Sequence, residues 1–309
     1  MLAPPRGRIP PRACAGVALL EMLVSLTLFG VVLTAFGGLL ARHEPAHATL
    51  DARLLAVAQL REGEGALAHD LLPLAPRAGD IAAGEARDSA IAIRAVVATG
   101  VACDTAGLSI ALPPPAGDLL ASLHARLTMP QRFDTAWAWA EGSAGRSWVP
   151  LRVGAVSSST TRCAAAPGSS PWPDGPRLVL AVTGVAALPP GLAPGTPLRV
   201  TRRVRWSLYR ASDRRWWLGF REQAAGSGAL AAVQPVVGPL RGYSADSTRS
   251  GAAFLYYDAA GAPLPPGLAD TRAIARVRVV LRADSMPARA APGAPPLHDS
   301  TVIVVAPRG

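Results

Sequence analysis

The chain has 309 residues, of which 31 are basic, 21 are acidic and half are hydrophobic, and its formal charge is +10. This composition excludes a disordered polyelectrolyte and supplies enough apolar residues for a sizeable core. Apart from five histidines, every basic residue is arginine, because the sequence contains no lysine. Sites that need a lysine, such as a P-loop, a pyridoxal phosphate Schiff base or the ion pair of protein kinases, are therefore excluded.

An apolar segment near the N-terminus, residues 17–40, is long enough to cross a membrane. Its 24 residues carry one charge, Glu21. As a helix they would be roughly 36 Å long, against a hydrocarbon core of about 30 Å. Arginines without any acid precede the segment, whereas Arg42 is followed by Glu44 and Asp51. The positive-inside rule therefore predicts a cytoplasmic N-terminus and places the rest of the protein outside.

The residues around this segment predict that it is retained and that its acid has a function. A secretory signal has the small residues of its cleavage site after the apolar region, which is then discarded. Here the small residues, at 13–16, precede the apolar region. A carboxylate at mid-bilayer costs about 2.5–3.5 kcal/mol. The positive end of the helix dipole offsets at most about 1 kcal/mol of that cost. Glu21 therefore requires a cation.

The N-terminal sequence resembles the class III signal of type IV prepilins and pseudopilins. The resemblance consists of a basic leader, Gly16, five residues that end in Glu21, and an uninterrupted apolar helix. It implies that a prepilin peptidase cuts between Gly16 and Val17 and that Val17 is then N-methylated. It also implies that Glu21 pairs with the terminal amine of a neighbouring subunit during assembly.

The same resemblance implies a location and a set of partners. The chain would be a single-pass protein of the inner (cytoplasmic) membrane with a periplasmic C-terminal domain, and would then enter a pilus or pseudopilus. Its partners would be the prepilin peptidase, other pilin or pseudopilin subunits that pack against its N-terminal helix, and the inner-membrane assembly platform.

Beyond the membrane, apolar residues recur at helical spacing up to Leu71, and Pro73 is expected to end the helix. Pro45, Gly63 and Gly65 are expected to bend or loosen it. The predicted fold is α+β and pilin-like, with a long N-terminal helix followed by a mostly antiparallel β domain. Its predicted parts are a leader at 1–16, a transmembrane helix at 17–40, an amphipathic continuation at 41–72 and an exported β-rich domain at 73–309.

The C-terminal two-thirds alternate in the manner of half-buried strands. Residues 89–99 and 108–112 are predicted to form one hairpin. A second hairpin is predicted from the alternating segments 198–210 and 216–221, with Arg202 the one misfit on the apolar face. Further strands are predicted at 178–182, 252–257, 275–283 and 301–305, and proline-rich loops at 113–116, 167–176, 187–197 and 287–296.

Part of the C-terminal region resembles J-type minor pseudopilins of type II secretion and PilW-like minor pilins. The features, in order, are the hairpin with 208–210, then 254–258 with Gly261, then Arg272 before an arginine/valine strand. The resemblance implies a structural subunit that is not an enzyme and has no cofactor. It leaves open whether a type IV pilus, type II secretion or DNA uptake is served.

Two cysteines, Cys103 and Cys163, follow the predicted cleavage site, and their compartment would be oxidising. A disulfide between them would close a loop of about 60 residues and contribute roughly 4 kcal/mol. The alternative is two free cysteines.

Enzyme signatures are weak. Residues 43–47 spell H-E-x-x-H, but Pro45 lies inside the motif and the other histidines are scattered. The sequence has no G-x-S-x-G elbow, dinucleotide fingerprint or calcium loop, so we expect no catalytic, cofactor-binding or metal site. The alternative hypothesis is a single-pass membrane-anchored periplasmic binding module or enzyme whose class III pattern is accidental.

The segment 202–221 combines arginine with tryptophan, as single-strand DNA-binding proteins do. The period-two alternation already accounts for Trp206, Trp216 and Phe220 as core residues. Arginines on the wet face of a strand are a common solvated surface. We therefore expect no nucleic-acid partner for this segment.

Overall fold

The computed structural model describes residues 15–114, 128–142, 145–163, 175–285 and 297–306. Residues 1–14 of the predicted leader lie outside these residues, as do half of the predicted proline-rich loop 113–116, most of the loop 167–176 and all of the loop 287–296. A 57-residue helix, α1 (Ala15–Leu71), is followed by the thirteen strands that the described residues form. The strands are β1 (Ala90–Val101), β2 (Asp104–Ala106), β3 (Ser109–Leu112), β4 (Thr135–Gly142), β5 (Gly145–Ser159), β6 (Arg177–Thr183), β7 (Pro197–Arg210), β8 (Trp216–Glu222), β9 (Gln234–Leu240), β10 (Ala252–Tyr257), β11 (Pro263–Leu264), β12 (Arg276–Ser285) and β13 (Leu297–Val305).

All of these strands belong to one sheet, in which the paired neighbours are antiparallel. The predicted α+β class, an apolar N-terminal helix followed by a mostly antiparallel sheet, is confirmed. The chain divides into two compact units at Leu55. One unit contains the first part of α1. The other contains the rest of α1, from Leu55 onward, together with the sheet.

Strand β7 lies at the centre of the sheet. One of its edges pairs with β1, and the other pairs with β8 over 204–210 and with β4 over 198–201. The β7–β8 hairpin is the predicted second hairpin. Trp206 is paired with Phe220 across it, with ring centroids 4.9 Å apart. The alternation in β7 buries the expected residues, which are Leu198, Val200, Val204, Trp206 and Leu208.

The predicted first hairpin is wrong. Strand β1 pairs with β7, β3 pairs with β6, and the short β2 is the hairpin partner of β3. The physical reason is burial and length. Both faces of β1 are largely buried over twelve residues, so it needs a long central partner, and β7 offers fourteen residues where β3 offers four. The other four predicted strands coincide with β6, β10, β12 and β13.

The described residues pack into two hydrophobic clusters. The first joins the C-terminal part of α1 to the sheet and includes Leu67, Trp206 and Phe254. The second is built from β1 and β3 to β7 and includes Leu151 and Leu180. The segment 187–197 connects β6 to β7 without a strand, as predicted.

Helix α1 ends at Leu71, two residues before Pro73, as predicted. Its backbone is helical without interruption through positions 45, 63 and 65. The helix is thus not broken at these positions, and a bend or loosening at Pro45, Gly63 or Gly65 stays a prediction. Leu50 and Leu54, which lie in the predicted amphipathic continuation of the helix at 41–72, are exposed, and the buried face of the helix begins at Ala56.

Candidate assembly helix and its anchor

The first part of α1 contains one stretch, Leu19–Leu40, that is long and apolar enough to span a bilayer, the single such helix in the described part of the chain. Its 22 residues would rise about 33 Å, close to the thickness of a hydrocarbon core of about 30 Å. None of the stretch is buried within the protein. The predicted apolar N-terminal helix is confirmed at this level.

Large apolar side chains are distributed around the whole helix in this stretch. Fourteen large apolar side chains between Leu19 and Leu40 are 48–73% exposed. Full burial of one such side chain is worth about 1.5–3 kcal/mol. With roughly half of each surface uncovered, on the order of 10–20 kcal/mol of burial is unrealised in water. Lipid or other apolar helices would supply it.

Glu21 lies on this helix, directly before Met22 in the apolar stretch, and is exposed. The part of the chain that the structure describes gives its carboxylate no hydrogen-bond or ion-pair partner. Gly16 and Val17 lie in the first turn of α1, which begins at Ala15. The predicted cleavage and methylation positions and the predicted assembly residue therefore lie within two turns of one helix, whereas the side chain of Val17 is outside the described residues.

The C-terminal part of α1 is anchored on the sheet. Leu67 and Leu71 are completely buried and Leu60 nearly so. Near the end of the helix, Trp206 Nε1 in β7 donates a hydrogen bond to Asp70 Oδ2 at 2.9 Å. One turn and a half earlier, Thr301 Oγ1 in β13 donates to Glu64 Oε2 at 3.0 Å. These polar contacts fix the position of the helix along the sheet as well as its buried face.

Gly63 marks the point where the backbone of α1 approaches β9. A Cβ added at Gly63 would overlap Val237 Cγ2 and would lie 3.2 Å from Val237 Cβ. Gly65 is different, because an added Cβ there would meet nothing within 4 Å. Gly63 is therefore a packing residue, and Gly65 is an exposed helix position.

The carboxyl group of Asp70 is mostly buried, which disfavours its charged form. Desolvation by burial raises the pKa of its carboxyl above the ordinary value, although the hydrogen bond from Trp206 and the neighbouring His69 act in the opposite direction. Its side chain is 13% exposed. The carboxylate serves as the acceptor for the indole, a role that a neutral amide oxygen would also fill.

Cys103 and Cys163 form a disulfide whose Cα atoms are 5.5 Å apart. Cys103 is completely buried, and its backbone N–H donates to Ala111 O at 2.8 Å. The bridge thus joins the start of the β2–β3 hairpin to the chain that follows β5, across 60 residues of sequence.

The arginine–tryptophan segment 202–221 is largely occupied by contacts within the protein. Arg202, the sequence misfit, is buried and makes two hydrogen bonds to Asp134, at 2.9 and 3.0 Å, and one to Glu222 at 3.2 Å. Arg205 binds Glu85 at 2.6 Å. Trp216 and Phe220 pack against the first cluster. This segment therefore presents few unpaired arginines beside exposed aromatic rings.

The side chains of His43 to Ala46, which carry most of the H-E-x-x-H pattern, lie outside the described residues, and His47 is exposed. Among the side chains that the structure does describe, no group of three or more histidines, cysteines and acids is arranged to hold a metal ion.

The chain was compared with protein-family models, with curated proteins and with solved structures, and none of the three comparisons found a match.

Proposed function

We propose that the protein is a minor pilin or pseudopilin, a structural subunit that inserts into or primes a type IV pilus or a type II secretion pseudopilus. In this proposal the prepilin peptidase removes residues 1–16 and leaves Val17 as the N-terminus. The observation that carries the proposal is Glu21, a carboxylate that has no partner among the described residues and lies in an exposed apolar stretch of helix.

The argument from Glu21 is electrostatic. An isolated carboxylate in hydrocarbon costs several kcal/mol, and a positive charge beside it removes most of that cost. Cleavage after Gly16 creates such a charge, the amine of Val17, at the end of every processed helix. When two such helices pack side by side, the amine of one reaches the carboxylate of the other if their axial offset is close to the four-residue rise from Val17 to Glu21, about 6 Å.

The second part of α1 supports the same proposal. In this proposal the helix that enters the filament has to be joined to a folded exported domain. The helix remains regular through Leu71, and its last turns are held by the core leucines and by the Asp70–Trp206 hydrogen bond. The last turns of α1 and the sheet thus belong to one compact unit.

The experiment is incorporation of tagged subunits into filaments. The chain is expressed in its own cells, and surface filaments or overproduced pseudopili are sheared, sedimented and quantified by immunoblot. Loss of one partner of a buried charge pair costs about 2–5 kcal/mol. Glu21→Leu and Glu21→Gln should therefore lower incorporation at least tenfold while membrane levels stay unchanged.

Glu62→Gln is the matched control, because Glu62 is an exposed acid of the same helix beyond the apolar stretch. It should enter filaments like the wild-type chain. Wild-type incorporation of Glu21→Leu would overturn the proposal.

A further inference from the structure

A cleft of about 700 Å³ opens in the sheet domain beside the β4–β5 hairpin. Its lining residues come from β1, β4 and β5 and from the two short 3-10 turns at Pro76–Ala78 and Thr271–Ala273. Four arginines and three tryptophans line it, and no acid or histidine is among its lining residues. This combination differs from the segment 202–221, where Arg202 and Arg205 are paired with acids and Trp206 is buried in the core.

The floor of the cleft is a fixed aromatic platform. Trp137 is buried, and its Nε1 donates to Thr201 Oγ1 at 2.9 Å. The guanidiniums of Arg94 and Arg199 lie 5.3 and 5.2 Å from its ring centroid. Arg199 is neutralised by two hydrogen bonds to the buried Asp80, at 2.9 and 3.1 Å. Arg94 donates a hydrogen bond to a backbone oxygen, Gly79 O, at 2.7 Å. The floor is therefore already assembled, and Arg94 adds a positive charge to it.

The rim of the cleft carries exposed arginines and an exposed tryptophan. Arg77, Arg146 and Arg272 are exposed, and within the described residues none of these three guanidiniums has a hydrogen-bond or ion-pair partner. Trp139 is also on the rim, with 37% of its surface exposed, and Trp148 supports it edge-to-face at 5.6 Å between centroids. The rim thus presents three unneutralised positive charges next to an open indole ring.

A second cleft, of about 650 Å³, shares Arg77 and Arg272 with the first. The one acid in its lining, Asp258, accepts a hydrogen bond from the backbone of Ala262 at 2.8 Å. The two clefts therefore adjoin at a pair of arginines. This arrangement suits an extended ligand better than a compact one.

We propose that these clefts bind single-stranded nucleic acid. The three rim arginines would contact successive phosphates, because the guanidinium fork matches phosphate oxygens in geometry and charge. The ring of Trp139 would stack with an unpaired base. Alternating anionic groups and planar rings are the chemistry of a single strand, and a basic groove with aromatic platforms is how proteins bind it without sequence preference. A duplex offers the phosphates but no free base.

The inference is independent of the pilin proposal, since it uses only residues of the sheet domain. The test is fluorescence anisotropy of a labelled oligo(dT) strand titrated with the full chain in detergent micelles. With about three phosphate contacts, the logarithm of the association constant should fall with the logarithm of salt concentration with a slope near −2. Arg77→Gln/Arg146→Gln/Arg272→Gln should abolish most of this slope and weaken binding at least about tenfold at low salt.

Variants of Trp139 distinguish the contribution of base stacking to binding from that of charge attraction. Trp139→Ala should weaken binding about 5- to 100-fold with the salt slope unchanged, and Trp139→Phe should recover most of the affinity. The charge-matched control is Arg214→Gln/Arg215→Gln/Arg278→Gln, which removes three exposed arginines that are absent from the linings of both clefts. It should bind the oligonucleotide as the wild-type chain does, within about twofold.

Three results would overturn the proposal. An equal loss of affinity in the cleft and control triple variants would mean general surface charge. An unchanged affinity in Trp139→Ala would mean an anion site without base recognition. Equal competition by dextran sulfate or by duplex DNA of the same length would mean that any polyanion is accepted. Far-UV circular dichroism of each variant verifies that the loss of binding is not loss of fold.

Discussion

Replacement of Gly63 by alanine tests the close approach of α1 to the sheet. In an exposed helix interior, Gly→Ala stabilises a protein by about 1 kcal/mol through helix propensity. At Gly63 the new methyl group would overlap Val237, and overpacking of a core typically costs about 1–3 kcal/mol. Gly65→Ala adds the same methyl group to the same helix where nothing lies within 4 Å. We therefore expect Gly65→Ala to raise the free energy of unfolding by about 1 kcal/mol. The free energy of unfolding of Gly63→Ala should be about 1–3 kcal/mol lower than that of Gly65→Ala.

The assay is urea unfolding of the full chain in detergent micelles, followed by tryptophan fluorescence, because Trp206 contacts α1 directly. Val237→Ala removes the atoms that the new methyl group would strike. The double variant Gly63→Ala/Val237→Ala should therefore be more stable than the sum of the single effects by about 1–2 kcal/mol. If Gly63→Ala stabilises the protein as much as Gly65→Ala does, the proposed packing of the helix against β9 is refuted.

Three further predictions concern covalent and polar contacts of the sheet domain. The pair Cys103→Ser/Cys163→Ser should lower the free energy of unfolding by about 4 kcal/mol, measured by urea unfolding without reductant. Because burial raises the folded-state pKa of Asp70, the stability associated with its protonated form is lost as pH rises from the unfolded pKa through the folded one. Asp70→Asn keeps an acceptor for the indole but does not titrate, so its free energy of unfolding should increase relative to that of the wild-type chain as pH rises through this interval. A stability difference between the two that shrinks with rising pH would contradict this. Asp134→Ala should cost about 3–5 kcal/mol in thermal unfolding because it leaves Arg202 buried without its main partner, whereas Asp134→Leu/Arg202→Met should recover most of that loss; equal losses in both variants would argue against the pair.

Elements in which polar and apolar residues alternate clearly could be predicted from the sequence. Strand β7 alternates arginine or threonine with large apolar residues, and β12 does the same, so their faces were evident. The apolar stretch of α1 and the end of the helix before Pro73 were equally clear. In each case one local signal, periodicity or a helix breaker, decides the structure.

Strands without such an alternation of polar and apolar residues could not be predicted. In β4, alanine alternates with tryptophan, so both faces are apolar. Strand β5 is long and rich in serine, and it contains Pro150, a residue that argues against a strand in the sequence. The pairing of β1 was also hidden, because its partner follows it by about 100 residues and is selected by burial and length. Local patterns do not contain that information.

The same limit applies to the polar sites. Arg202 was evident as a misfit, but its partner Asp134 lies 68 residues away in sequence. The cleft was not predicted either, since Arg77, Arg146 and Arg272 come from three distant segments that only the fold brings together. The tryptophan pair Trp139 and Trp148, placed across one hairpin register, was the one sequence signal that could have indicated it.

The central claim is that the chain is a processed subunit that begins at Val17. The most direct test is mass spectrometry of the N-terminal peptide of the full chain recovered from cells that contain a prepilin peptidase. We predict a peptide that starts at Val17 and carries one added methyl group, and a retained leader when Gly16 is replaced by tryptophan. A membrane-bound protein that still begins at Met1, or that begins at any residue other than Val17, would contradict the account.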